Sequence, residues 1–222
     1  MDEDQQLLTA LTTEHFTLQG SRAQTTTESS ARASLYVVSV SSALIALGFI
    51  SQFSETGDLF NTFALTVLPT LYVLGAVTFV RVAECGVEDW RYAQAINRIR
   101  GYYREVAGDR ADLFLLSAHD DAAGINENLG LRAEGHAPIY VFSSAIAVIN
   151  GVVGGAAVAL ALGALAGASL GVATAIGAVA ALISIVGWIR YSDVMFKERA
   201  GKITPMFPSD QRSISSRGAA GG

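Results

Sequence analysis

The segment PIYVFSSAIAVINGVVGGAAVALALGALAGASLGVATAIGAVAALISIVGWIRY, residues Pro138 to Tyr191, decides the fold. Between Ile139 and Ile189 no residue is charged. A helix needs roughly 20 apolar residues to cross a bilayer, so this run is too long for one span and fits two joined by a tight turn. Gly151, Gly154, Gly155, Gly163, Gly167, Gly171 and Gly177 punctuate it. Small residues let helix backbones approach closely in lipid, where packing replaces the hydrophobic drive between helices. Spans are predicted over 139–162 and 169–189, with Pro138 at the helix start and Tyr140, Trp188 and Tyr191 at the interfaces.

Working back toward the N-terminus, a second apolar pair emerges. Residues 35–53 and 60–80 carry no charge, and the loop 54–59 holds Glu55 and Asp58 but no Lys or Arg. Tyr36 marks the entry of the first span, and Pro69, mid-way along the second, predicts a kink. The turn near 163–168 also lacks basic residues, and every Lys and Arg lies in 1–34, 81–138 or 190–222. Basic residues beside span ends stay cytoplasmic. The expected fold is therefore all-α and integral to the membrane. Four transmembrane helices form two antiparallel hairpins with cytosolic helical extensions. The divisions are 1–34 (cytosolic arm), 35–80 (first hairpin), 81–137 (cytosolic helical segment), 138–190 (Gly/Ala-rich hairpin) and 191–222 (helix end and disordered tail). The location expected is the inner (plasma) membrane, multi-pass, with both termini cytoplasmic.

The polar segments read as helices. A helix is predicted over 4–19, interrupted at Gly20 and Ser21, with Glu28 and Arg32 paired at i,i+4 nearer the membrane. After Arg81 the second span continues as a helix. Tyr92, Ile96, Ile99, Tyr103 and Val106 are spaced 4, 3, 4, 3, the seam of an amphipathic helix or short coiled coil. Arg91, Arg98, Arg100 and Arg104 lie on other faces. They are expected to be solvated and paired with Glu88, Asp89 and Glu105, or else Arg100 and Arg104 meet lipid phosphate or an anionic ligand. Residues 111–117 read as a short helix and 119–135 as a loop with a helical turn. Asp193–Lys197 and Glu198–Lys202 extend the last helix until Pro205 and Pro208 end it, and disorder is expected from Ser209 on.

Chemistry is sparsely signalled. The chain has 222 residues and a formal charge of −5, against nucleic-acid binding, which needs a dense basic surface. Its one cysteine, Cys85, forms no intramolecular disulfide. No span holds Asp, Glu, Lys, Arg or His, the groups that mark proton relays and ion pathways. His119, Asp120 and Asp121 are adjacent, with Glu127, Glu134 and His136 downstream, but adjacent residues diverge and no spaced ligand pattern appears. No catalytic, cofactor-binding or metal residue is assigned, and no cofactor is expected. Asn150 is expected to bond Thr174 or Ser184 across the second hairpin. Gly151 and Gly155, with Gly163, Gly167 and Gly171, tighten that hairpin and its turn, or else form an oligomer face.

The residues Glu14-His15-Phe16 through Arg22, Ser41 to Phe49, and Glu88 to Tyr103 carry a resemblance to a group of multi-span membrane proteins common in actinobacteria. That group has no assigned activity, so the resemblance implies architecture and no site. In layout alone the chain also looks like the membrane effector modules of nucleotide-signalled bacterial defence systems. The function expected is a non-enzymatic anchor or signalling scaffold acting through its cytosolic helices, with contacts at Tyr92, Ile96, Ile99, Arg100, Tyr103 and Arg104. The alternative is an oligomeric membrane effector or channel assembled through the Gly-rich hairpin. The expected partners are the lipid bilayer and either a second copy or a cytosolic protein.

Overall fold

A computed structural model describes residues 3–53, 57–130, 139–200 and 202–209, with the side chains of 139–142 excepted. Expectations for Glu55, Glu134, His136 and Pro138, for the Tyr140 side chain, and for the tail beyond Ser209 lie outside the described residues. Five α-helices follow in order: α1 (Glu3–Phe53), α2 (Asp58–Ala107), α3 (Ala122–Asn128), α4 (Ile139–Ala166) and α5 (Leu170–Ala200). A short 3₁₀ helix, Gly108–Leu113, follows α2, and no strand occurs among the described residues. α1, α2, α4 and α5 are each long and apolar enough to cross a membrane.

Several boundaries differ from expectation. α1 runs unbroken through Gly20 and Ser21. A helical glycine costs about 1 kcal/mol relative to alanine, too little to stop a helix supported on both sides. α2, with Pro69 inside it, is a single helix, as expected. Residues 111–117 are not an α-helix: the 3₁₀ helix ends at Leu113 and Phe114 is extended.

The chain divides into two compact units. An apolar unit comprises Thr26–Cys85 and Pro138–Arg199; a polar unit comprises Met1–Thr25, Gly86–Ala137 and Ala200–Gly222. In the apolar unit Tyr36 and Val40 of α1, Leu71 and Phe79 of α2, Ile146 and Ala147 of α4 and Ala173 of α5 are buried. In the most apolar 18-residue stretch of each long helix, however, between 17% and 33% of the residues are buried. Most apolar side chains point outward, among them Phe49, Phe53, Val73 and Ile183, while Thr78, Ser143, Asn150 and Ser192 are buried. Outer faces this apolar are unlike those of a water-soluble bundle.

α4 and α5 are joined at Gly167. Its φ of +64° lies in the left-handed region, and the Ala168 amide donates to the Leu162 carbonyl at 3.1 Å. This is a glycine C-cap that satisfies carbonyls at the end of α4. The two helices then meet backbone to backbone. A Cβ on Gly155 would lie 2.5 Å from the Gly177 carbonyl, and one on Gly177 would lie 2.6 Å from that of Gly155. Gly151 packs equally closely on Ile185. Gly163 and Gly171 have open space beside them.

Asn150 does not bond to Thr174 or Ser184. The Tyr36 phenol of α1 donates to its Oδ1 at 3.0 Å. Ser184 instead lies 2.9 Å from the hydroxyl of Tyr72, which comes from α2. The tyrosines outreach shorter side chains and link the two sequence-distant pairs of helices.

Charged residues appear at the ends of the apolar stretches. Glu28 accepts from Arg81 at 2.9 and 3.0 Å and from Arg32 at 2.8 Å, while Glu84 lies 3.6 Å from Arg81 and 3.4 Å from Arg199. The Arg81 and Arg32 hydrogen bonds hold the Glu28 carboxyl at about 2.

Candidate functional site

In the polar unit, residues 86–107 of α2 form the spine. Of its expected contact seam, Ile96 and Ile99 are buried, Tyr92 and Tyr103 are half-buried, and Val106 is exposed. The first turns of α1 cover part of it. The Tyr103 hydroxyl donates to Thr12 Oγ1 at 3.3 Å, and its ring centroid lies 5.8 Å from that of His15. The Tyr92-to-Tyr103 part of the seam is thus largely spent within the chain.

The acidic residues are committed to a clasp. Asp120 is fully buried and accepts from Arg98 Nε at 2.8 Å, the Phe207 amide at 2.7 Å and the Met206 amide at 3.0 Å. The Asp120 amide donates in return to the Phe207 carbonyl at 3.2 Å. Asp121 caps α3 by accepting from the Gly124 amide at 2.9 Å, and also accepts from the Ser209 amide. Gln94 and Arg98 donate to the carbonyls of Ile203 and Thr204. The Phe207 ring lies over Gly101, where a Cβ would come within 2.5 Å of it. Burial would raise both carboxyls. For Asp120 the Met206 and Phe207 amides and Arg98 outweigh it; for Asp121 the hydroxyl and amide of Ser209 and the Gly124 amide do. Both therefore sit below the usual carboxylate range.

This clasp corrects two expectations. Ser209, expected in the disordered tail, is docked on Asp121. Arg98 binds Asp120 rather than a carboxylate of its own helix, and Asp89 takes Arg22 of α1 at 2.8 and 3.3 Å. Among the described residues no group of three His, Cys, Asp or Glu side chains is placed to hold a metal.

Beside the clasp lies a cavity of about 80 Å³ whose wall includes Arg22, Ile96, Asn97, Arg100, Ile125 and Asn128. Arg100 is half-buried rather than solvated. Its Nη1 donates to Asn97 Oδ1 at 2.9 Å and to the Ser117 carbonyl at 3.0 Å. Asn128 locks both acceptors, donating to Asn97 Oδ1 at 3.0 Å and the Ser117 carbonyl at 2.9 Å, while its own Oδ1 accepts from the Ser117 amide at 2.7 Å. Asn97 is fixed in turn by donating to the His119 carbonyl. Burial, and then the charge of Arg22, push the Arg100 guanidinium below its ordinary value. Burial and Arg100 do the same to His15. Arg104, one turn on, is not part of this wall. Arg22, Asn97 and Asn128 were not singled out from sequence. Asn97 stands one helical turn before Arg100, the one local hint available.

Compared with protein families, curated proteins and solved structures, the chain matches none.

Proposed function

We propose that this chain is a non-enzymatic integral membrane protein of the plasma membrane, a signalling scaffold. Its four long helices cross the bilayer as two antiparallel hairpins, and its polar unit is cytoplasmic. The observation that carries this is the apolar outer surface of the apolar unit, with a few polar groups held inside. Apolar side chains line its outer faces while Asn150, Ser143 and Thr78 are buried within. Lipid favours that arrangement, because apolar faces need no cover there and polar groups must find partners inside. The absence of Lys and Arg from 57–80 and 143–189 supports cytoplasmic ends. The use of Asp120 and Asp121 to fasten backbone supports a binding role over catalysis.

Orientation is tested with a membrane-impermeant maleimide on intact cells, since Cys85 is buried. Leu59→Cys should label from outside, and Val106→Cys should label after permeabilisation alone. The reverse pattern would overturn the topology.

A second reading, an oligomeric membrane effector or channel, draws on Gly163 and Gly171, which have nothing within 4 Å. Dye-loaded proteoliposomes separate the two. The scaffold predicts leakage at the background of empty vesicles. Leakage above background that Gly163→Leu abolishes would put the channel first.

A further inference from the structure

We propose that the cavity over Arg100 binds a phosphate-type oxyanion, free in solution or on a lipid headgroup, through the unspent edge of the Arg100 guanidinium. The inference goes beyond the scaffold reading and does not depend on the membrane topology.

The cavity has room for several water-sized groups. One water needs roughly 10–15 Å³ of such space, and about 80 Å³ is present. Its charge has one sign, because the ionisable side chains in its wall are Arg22 and Arg100 and no carboxylate joins them. Asp89 compensates Arg22. Among the described residues no carboxylate lies within ion-pair distance of Arg100.

The geometry of Arg100 is that of an unfilled clamp. A guanidinium offers five N–H donors in a planar fork. Arg100 spends two, both on Nη1, against Asn97 and Ser117. Nε and Nη2 make no hydrogen bond among the described residues, and they form the edge that meets two oxygens of a phosphate side by side. Burying a cation without a counter-charge is unfavourable, and an oxyanion removes that cost. The Asn97–Asn128–Ser117 network already fixes the side chain, so little ordering remains to oppose binding.

The test uses the full chain purified in detergent. Melting midpoints are measured with sodium phosphate against sodium chloride at matched ionic strength, then in nanodiscs of phosphatidylcholine with and without phosphatidic acid. The proposal expects a saturable rise with a phosphate-bearing probe, retained in Arg104→Gln and with affinity reduced about tenfold or more in Arg100→Gln, the loss expected for charge-assisted hydrogen bonds. Arg100→Lys keeps the charge but loses the fork. It should also bind more weakly, and it serves if Arg100→Gln fails to fold by circular dichroism. A rise with soluble phosphate assigns a free ligand; a rise with phosphatidic acid alone assigns a headgroup. No rise with either probe, or wild-type affinity in Arg100→Lys, overturns the proposal.

Discussion

In the apolar unit two helices meet backbone to backbone at Gly155 and Gly177, and the hydroxyls of Tyr36 and Tyr72 make long-range polar links in its interior. In the polar unit the fastening is a carboxylate gripping main-chain amides, with Arg98 alongside. For the membrane protein proposed above, the difference follows from solvent. Where lipid offers no hydrophobic drive between helices, close fit and a few hydrogen bonds supply the specificity. In a small polar unit a buried charge must be fully surrounded by donors, and it then pins whichever segments carry them.

The comparison breaks most readily at Asp120. Asp120→Ala removes the shared acceptor of Arg98 and two amides and should destabilise the polar unit by about 2–3 kcal/mol, as losing hydrogen bonds to a charged group does. Limited proteolysis should then cut within 203–209 much faster than in the unaltered chain. An unchanged cleavage rate would mean that the clasp does not hold the unit. Next in size, Gly155→Val should cost about 1–3 kcal/mol by overpacking, read as a lower melting midpoint in detergent. Gly163→Val, in open space, should be near neutral, and equal effects at the two sites would deny the backbone contact.

A smaller loss sharpens the contrast. Tyr36→Phe removes the donor to Asn150 and should cost about 1 kcal/mol, in keeping with interhelical hydrogen bonds in membranes. The smallest effect is expected at Glu28. Its carboxyl sits at about 2 in the folded chain, below the roughly 4.3 of an unfolded one. Its contribution is complete above the unfolded value and is lost as pH falls through about 2. Melting scans over that acid range should show Glu28→Gln less sensitive to pH than the unaltered chain, whereas identical pH profiles would remove Glu28 from the account.

Sequence legibility divided along the same line. The four long apolar helices, a turn within 163–168 and the extension of α5 beyond its apolar stretch could be read because hydropathy and glycine chemistry are local signals, although α5 ends at Ala200 rather than Lys202. Asn150 was visible as a polar residue awaiting a bond. Its partner, Tyr36, lies 114 positions away and was not visible. Asp89 has Glu88 beside it and Arg91 within a turn, yet it binds Arg22, because folding sets that distance and spacing does not. Asp120 was hardest, since the amides of Met206 and Phe207 are present at every residue and leave no mark in a pattern. The Arg100 cavity shows the same limit. Arg100 could be singled out, but its burial depends on Asn128 and Ser117, which arrive from another element.

The Asp120 clasp also sets an order of assembly. Asp120 and Phe207 are 87 positions apart, and a ribosome adds roughly 5–20 residues per second. From its synthesis, then, Asp120 waits about 4 to 17 seconds for its amide partners. During that interval the carboxylate has to remain hydrated, so the clasp stays open while α4 and α5 are being made. Nascent chains arrested before Met206 should accordingly be cut by protease in 108–121, and chains released after Ser209 should resist. The clasp thereby closes only after the apolar helices have been synthesised.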